Sequence, residues 1–222
     1  MKLKTLSKKA QRTLIGNFSD TSKMPGLSWG ISAHKCKVGG RMAKVKGSTC
    51  YDCYALKNFY EMDNVQQSLE NKWQALFQPD FVENFVTAFQ LEPTEKREVF
   101  RFLDSGDLQN IIMLRIFCRI AARLPDTLFW LPTREWGIVR GFIKSGGIIP
   151  ENLNIRLSEL MVDETEPKKA KLATLAKSLG CTVSGVSKLN SFNCPASKQD
   201  NECGSCRSCW DKSEFRQVYK KH

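Results

Sequence analysis

From residue 98 onward, short β-favouring runs alternate with segments whose apolar residues recur at helical spacing. Four runs predict strands: 98–103, 127–131, 153–157 and 181–187. Three segments between them predict helices: 108–124, 135–144 and 167–179. Strands that recur about every 25 to 30 residues with helices between them imply right-handed βαβ crossovers. The chain therefore predicts an α/β fold with a mainly parallel sheet, either a partial (TIM-like) barrel or an open sheet.

The sequence before this repeat predicts one more strand and two more helices. Residues 27–33 can form an earlier strand, and amphipathic helices are expected at 65–77 and 81–90, with Asp80 as a possible cap of the second. We expect a single domain over residues 1–222, whose parts are a mobile basic arm (1–20), an N-terminal cysteine segment (27–60), the βα repeats (98–188), a C-terminal cysteine segment (190–211) and a short helix or frayed end (211–222).

The nine cysteines of the chain are expected to be reduced. No stretch approaches the roughly 18 consecutive apolar residues of a membrane span, and the N-terminus lacks the apolar core of a secretory signal. We therefore expect a protein without a membrane segment, located in the cytoplasm, or in the host cytoplasm if it is encoded by a phage. Because cytoplasmic thiols are kept reduced, metal ligands or reactive thiols are favoured over disulfides.

The C-terminal cysteines form a dense motif. Cys194 is followed by Pro195 and, after eight intervening residues, by Cys203, Cys206 and Cys209 in a Cys-x2-Cys-x2-Cys run. Four thiolates suffice for a tetrahedral zinc ion or a [4Fe–4S] cluster. The run is similar to part of a bacterial ferredoxin motif, whereas structural zinc more often uses two separated knuckles. We therefore predict iron–sulfur binding, with zinc as the alternative.

The N-terminal cysteines number three. Thirteen residues separate Cys36 from Cys50, and two residues separate Cys50 from Cys53. Three thiolates in a separate cluster leave one iron without a cysteine ligand, so this iron is open to water, substrate or another side chain. Nearby His34 is either the fourth ligand or an exposed loop residue. Alternatively, all seven cysteines share one larger site or form two bridged clusters. Cys118 and Cys181 are expected to be structural.

Charge and strand-end residues suggest partners and a site. The net charge of +11 is concentrated in residues 1–50, where eleven Lys or Arg accompany a single acid, Asp20. This segment predicts either nucleic-acid binding or a solvated tail, and a redox partner is expected if the metal is an iron–sulfur cluster. At the strand ends, Asp104 and Arg134 are candidates to lie around the cluster. We expect Asp107 to cap the helix that follows it.

The sequence resembles the gene-product-88-like family of phage and plasmid proteins from about Lys23 to Trp210. The segments that carry the resemblance are Met24-Pro25-Gly26, Cys36-Lys37-Val38-Gly39, Val45-Lys46-Gly47-Ser48, Cys53-Tyr54-Ala55-Leu56, Asp104-Ser105-Gly106-Asp107-Leu108-Gln109, Trp130-Leu131-Pro132-Thr133-Arg134-Glu135, Cys194-Pro195-Ala196 and 203–211. The resemblance implies a viral or mobile-element origin and a shared cysteine set. Where members of the family tend to have His, this chain has Leu103.

A looser similarity links the chain to radical S-adenosylmethionine enzymes. These enzymes place a three-cysteine cluster in the loop after the first strand of a partial barrel, and Cys36, Cys50 and Cys53 hold a comparable place, although the spacing differs. Three functions follow as expectations: an iron–sulfur protein for electron transfer or cluster-based redox chemistry, a zinc-stabilised nucleic-acid-binding protein, and a radical enzyme that uses S-adenosylmethionine.

Overall fold

The structure is a computed structural model that describes residues 6–189 and 191–221. Six strands form one sheet: β1 Leu27–Trp29, β2 Val99–Phe102, β3 Leu128–Thr133, β4 Leu153–Val162, β5 Thr182–Ser187 and β6 Arg216–Lys220. Neighbouring strands pair in parallel in chain order from β1 to β6, and the sheet is open. The α/β fold with a parallel sheet is thus confirmed, in its open-sheet form.

The α-helices of the described part are α1 Lys8–Thr13, α2 Val38–Met42, α3 Asp63–Ala75, α4 Phe81–Gln90, α5 Ile111–Arg123, α6 Trp136–Lys144 and α7 Glu166–Ser178. Those within the repeat lie where their apolar periodicity predicts them, between successive parallel strands. Asn110, rather than Asp107, caps α5, because its Oδ1 accepts a hydrogen bond from Met113 N at 2.8 Å. Asp80 precedes α4 without a side-chain cap hydrogen bond.

Both chain ends differ from the prediction. Within residues 6–20 the chain is not a free arm: Lys8 and Arg12 on α1 form ion pairs with the buried Glu92, and Ile15 is fully buried in the core. Residues 1–5 lie outside the described residues. At the other end, the predicted helix or frayed end is instead β6, which pairs with β5 from Arg216 to Lys220. The exposed edge of β5 supplies the backbone partners that make a strand favourable there.

The strands alternate between two faces, and each face has its own cover. Phe100 and Phe102 of β2 belong to the main core, which also contains residues of α4 and α5. Ile155 of β4 belongs to this core as well. On the opposite face, Val99 and Trp130 pack in a second cluster against Cys209, Trp210 and other residues of the C-terminal cysteine segment. The cysteine segment therefore covers the sheet face that the helices leave open.

Candidate functional site

A cavity of about 860 Å³ lies at the carboxyl ends of the strands. This is the edge where parallel α/β proteins usually bind ligands, and the volume suits a small molecule. Thiols from both cysteine segments line the cavity: Cys36, Cys50, Cys53 and Cys194. Asp104 and Arg134, the two strand-end residues that the sequence singled out, line it as well.

Short hydrogen bonds fix the loop that carries the N-terminal thiols. Ser48 Oγ donates to Met42 O at 2.6 Å and accepts from the amides of Cys50 and Tyr51. Thr49 ties the same loop to β4, because its amide donates to Leu160 O at 2.8 Å. Cys50 is consequently held beside α2 and close to the end of β4.

Gly39 of α2 leaves room between two of these thiols. A Cβ at this position would lie 3.5 Å from Cys50 Sγ and 3.7 Å from Cys36 Sγ. A Cβ at the neighbouring Gly40, by contrast, would meet no heavy atom within 4 Å. A side chain at Gly39 would therefore pack directly against both sulfur atoms, and the glycine leaves them uncovered on this side.

Arg134 supplies positive charge beside the N-terminal thiols. Burial raises the pKa of Cys36 and of Cys50, and the neighbouring thiolates raise both further, whereas Arg134 lowers both. Arg134 is held by a hydrogen bond from its Nε to Thr49 Oγ1 at 3.0 Å. An anionic cluster would share this positive charge, since a cation stabilises the thiolate form of a cysteine.

Asp107 joins two strand ends instead of capping a helix. Its carboxylate accepts hydrogen bonds from Thr133 Oγ1 at 2.6 Å, from the amide of Arg134 at 2.9 Å and from its own neighbour Leu108. Burial raises the pKa of Asp107, while these hydrogen bonds lower it. Asp107 thereby positions Arg134 after β3.

Asp104 is a buried carboxylate without a hydrogen-bonding partner for its Oδ1 among the described residues. The residue is 8% exposed, and Oδ1 lies over Gly30, where a Cβ would be only 2.3 Å from it. Its backbone carbonyl accepts a hydrogen bond from Tyr54 Oη at 2.6 Å. The preceding Leu103 has φ of 56°, a left-handed conformation that costs a non-glycine residue roughly 1–2 kcal/mol. A buried, unpaired carboxylate at a strained turn is typical of a ligand-binding position.

The C-terminal thiols gather on the open face of the sheet. Cys203 and Cys209 belong to the second cluster, and the amide of Cys203 donates to Lys23 O at 2.9 Å. Burial raises the pKa of Cys209 to about 11, and the charges of Cys194 and Cys203 contribute to this rise. The pKa of Cys203 is raised first by burial and then by Cys194 and Cys206. Cys203 and Cys209 thus lie in one packed cluster, and Cys194 contributes to the raised pKa of both.

Arg156 fixes the backbone of this segment. It is fully buried in β4 and donates hydrogen bonds to the carbonyl oxygens of Ser208, Cys209 and Asp211, and also to that of Val183. Among the described residues no carboxylate pairs with it. A buried guanidinium without an acidic partner normally requires another source of negative charge.

Two N–H groups on the same face have no partner in the described part of the chain, namely Arg101 Nε and Trp130 Nε1. Their side chains stack, with the guanidinium carbon 4.4 Å from the ring centroid. Arg101 lowers the pKa of Cys203, so it lies near the C-terminal thiols. Sequence reasoning missed Arg101, although an arginine inside a short apolar strand is itself a signal of an unusual polar face.

The remaining candidates lie elsewhere. His34 is exposed, and its Nε2 lies 3.0 Å from Glu61 Oε1, as expected of a loop imidazole. Cys118 and Cys181 are buried in the main core. Across residues 6–189 and 191–221, no three His, Cys, Asp or Glu side chains are arranged closely enough to hold a metal ion. Metal binding by either thiol group would therefore require its thiols to turn toward one another.

Comparison with known proteins gives one match. The family model described as Gene product 88 matches residues 2–212. No curated protein and no solved structure matches the chain. In the described part of the structure, none of the helices has the length and apolar character needed to span a membrane.

Proposed function

The chain belongs to the Gene product 88 family, and from its two groups of thiols we propose that it is a phage-type iron–sulfur protein. In this proposal Cys194, Cys203, Cys206 and Cys209 hold one [4Fe–4S] cluster with complete cysteine ligation. The three N-terminal cysteines hold a second cluster, in which one iron lacks a cysteine ligand and faces the cavity.

The observation that carries the proposal is the set of unpaired N–H groups and buried cations beside the C-terminal thiols. Arg101 and Trp130 each present a buried N–H without an acceptor, and Arg156 contributes a buried positive charge. The sulfide and thiolate sulfur atoms of a cluster accept such hydrogen bonds, and its negative charge balances the arginines. A tetrahedral zinc site would offer the same four thiolates as acceptors, so these donors support a metal–thiolate centre of either kind. The preference for iron–sulfur over zinc rests on the dense Cys-x2-Cys-x2-Cys run.

The two clusters would have different tasks. A fully ligated cluster suits electron transfer, whereas an open iron at the cavity suits redox chemistry on a bound molecule. We propose the cytoplasm as the working compartment, because thiols stay available for cluster assembly there. A redox partner would supply the electrons.

Metal analysis after anaerobic purification tests the proposal. We expect brown protein with iron and acid-labile sulfide in near-equal amounts. Colourless protein with stoichiometric zinc would refute the proposal and leave the zinc-stabilised alternative.

Gly39→Val is expected to remove the N-terminal cluster while the fold is retained. The new side chain would occupy the space beside Cys36 Sγ and Cys50 Sγ. Iron content should fall by about half if both clusters hold four irons. Gly40→Val is the matched control on the same helix, since a Cβ added at Gly40 meets no heavy atom within 4 Å and so touches neither sulfur atom. This variant should keep all of the iron. Equal iron in both variants would argue against a cluster beside Gly39.

A second candidate function is a radical enzyme that uses S-adenosylmethionine, and the unpaired carboxylate of Asp104 favours it. The carboxylate lines the same cavity as the three N-terminal thiols, and the cofactor carries an ammonium group that a buried carboxylate can bind. In such enzymes a reduced cluster supplies one electron for reductive cleavage of the cofactor. The cleavage gives methionine and a 5′-deoxyadenosyl radical, which becomes 5′-deoxyadenosine by taking a hydrogen atom from a bound substrate or from the buffer. Protein reduced with dithionite should therefore form both products from S-adenosylmethionine, and absence of both would remove this candidate.

Under this second candidate, Asp104→Asn is expected to weaken the binding of S-adenosylmethionine about tenfold or more. The reason is that a charge-assisted hydrogen bond is replaced by a neutral one. Isothermal titration of the iron-loaded protein measures the change. Asp126→Asn is the control, since Asp126 is exposed and does not line the cavity. Unchanged affinity in Asp104→Asn would show that Asp104 does not contact the cofactor.

A further inference from the structure

The rim of the cavity carries lysines from both ends of the chain. Lys23, Lys220 and Lys221 line it, and in the described part of the chain none of them forms an ion pair with an acid. Lys23 and Lys220 are exposed. The buried acids Asp104 and Glu159 also line the cavity. One exposed acid, Asp52, lines the cavity as well, and it pairs with Lys57. The three unpaired lysines therefore leave the rim with a net positive charge, whereas Asp104 and Glu159 are buried.

Part of the basic character of the N-terminal segment is already neutralised within the fold. Lys8 and Arg12 pair with Glu92, and Lys35 pairs with Glu70. The positive charge that remains available for a partner therefore includes that of the rim lysines. Two of these lysines, Lys220 and Lys221, lie in the C-terminal part of the sequence. This arrangement directs a polyanion toward the cavity.

An exposed aromatic ring lies on the cavity wall. Tyr54 is 60% exposed, and its ring packs edge to face against Tyr60 with 5.6 Å between centroids. Tyr60 lines the same cavity. Proteins that bind single-stranded nucleic acids combine aromatic rings with basic side chains in one groove, because bases stack on the rings and phosphates pair with the basic groups.

We infer that the cavity receives one nucleotide of a single-stranded nucleic acid. Its base would lie against Tyr54, and the flanking phosphates would contact Lys23, Lys220 and Lys221. The cavity of about 860 Å³ has room for a nucleotide. An acidic protein would also be attracted by the lysines, but it has no need of a ring inside a cavity. The inference rests on the proposed function, since it names the substrate class for the cluster that faces this cavity.

Fluorescence anisotropy tests the rim, with labelled single-stranded DNA and RNA of about 12 nucleotides and iron-loaded protein. Lys220→Glu with Lys221→Glu should weaken binding about tenfold at low salt, and the slope of log affinity against log salt should become shallower by about 1.4, or about 0.7 for each lost phosphate contact. Lys144→Glu with Lys171→Glu is the control, with the same change in net charge. Both lysines are exposed, and in the described part of the chain neither lines the cavity or forms an ion pair. This control should change affinity less than about twofold.

The ring is tested separately. Tyr54→Leu should weaken binding about tenfold, because one base loses its stacking partner, and Tyr54→Phe should restore it. Duplex DNA of the same length should bind more weakly than the single strand, since a paired base cannot enter the cavity.

Equal weakening of binding by the rim variant and the control variant would overturn the inference, and so would equal affinity for single strands and duplex. Binding of poly-L-glutamate without binding of oligonucleotides would also overturn it, because that result would indicate an acidic protein partner. Iron and sulfide are measured on the same samples. Loss of nucleic-acid binding with intact clusters contradicts this inference alone. Colourless protein that still binds oligonucleotides contradicts only the proposed iron–sulfur function.

Discussion

Arg156→Met is expected to lower the free energy of unfolding by about 2–4 kcal/mol and to release the C-terminal cluster. The arginine donates hydrogen bonds to carbonyl oxygens of Ser208, Cys209 and Asp211, which keep the cysteine segment on the sheet. Each buried carbonyl that loses its donor costs about 1–3 kcal/mol. Anaerobic denaturant titration, with iron release followed in parallel, measures both effects.

The control for this variant is Arg140→Met. Arg140 is exposed on α6, so its replacement should change stability by less than about 0.5 kcal/mol. Arg156→Lys keeps the charge but lacks the planar set of donors, so its stability should lie between that of the wild type and that of Arg156→Met. If Arg156→Met kept its stability and its iron, the buried arginine would not be what holds the C-terminal segment.

Replacing two cysteines of one thiol group should remove the iron bound by that group and leave the iron bound by the other group. Wild-type protein is expected to hold about eight irons per chain if both clusters are [4Fe–4S]. Cys50→Ala with Cys53→Ala, and separately Cys203→Ala with Cys206→Ala, should each leave about four. The C-terminal pair should also lower the unfolding temperature, because that cluster links the segment to the sheet.

Cys118→Ala with Cys181→Ala is the matched control for these pairs. Both cysteines are buried in the main core, so the variant loses packing but no proposed ligand. Its iron content should equal that of the wild type. Loss of all iron from either group variant would instead indicate one shared site, the alternative in which seven cysteines act together.

The repeat of the fold was predictable because its signals are local. The apolar period of α5 and the β-favouring run of β3 lie within each segment and agree with the observed elements to within a few residues. The strand β6 was missed because it depends on a distant partner: its backbone pairs with the edge of β5, more than 30 residues away in sequence. The predicted third strand of the repeat was also too short, since β4 continues to Val162 past a register shift after Ser158.

The site was only partly predictable for the same reason. Asp107 precedes an apolar helix, which locally suggests a cap, yet its carboxylate binds Thr133 Oγ1 and the amide of Arg134 across two strands. The places of Asp104 and Arg134 at strand ends followed from the parallel sheet. No local pattern reveals that Arg101 Nε and Trp130 Nε1 lack acceptors, because this depends on how the C-terminal segment covers the sheet.

Anomalous X-ray scattering at the iron edge, from crystals grown without oxygen, can locate the two proposed clusters. We expect two separate iron peaks per chain. One lies beside Gly39, within bonding distance of the sulfur atoms of Cys36, Cys50 and Cys53, and the other lies among Cys194, Cys203, Cys206 and Cys209. A single peak shared by both groups, or signal at the zinc edge alone, would contradict the proposal of two clusters.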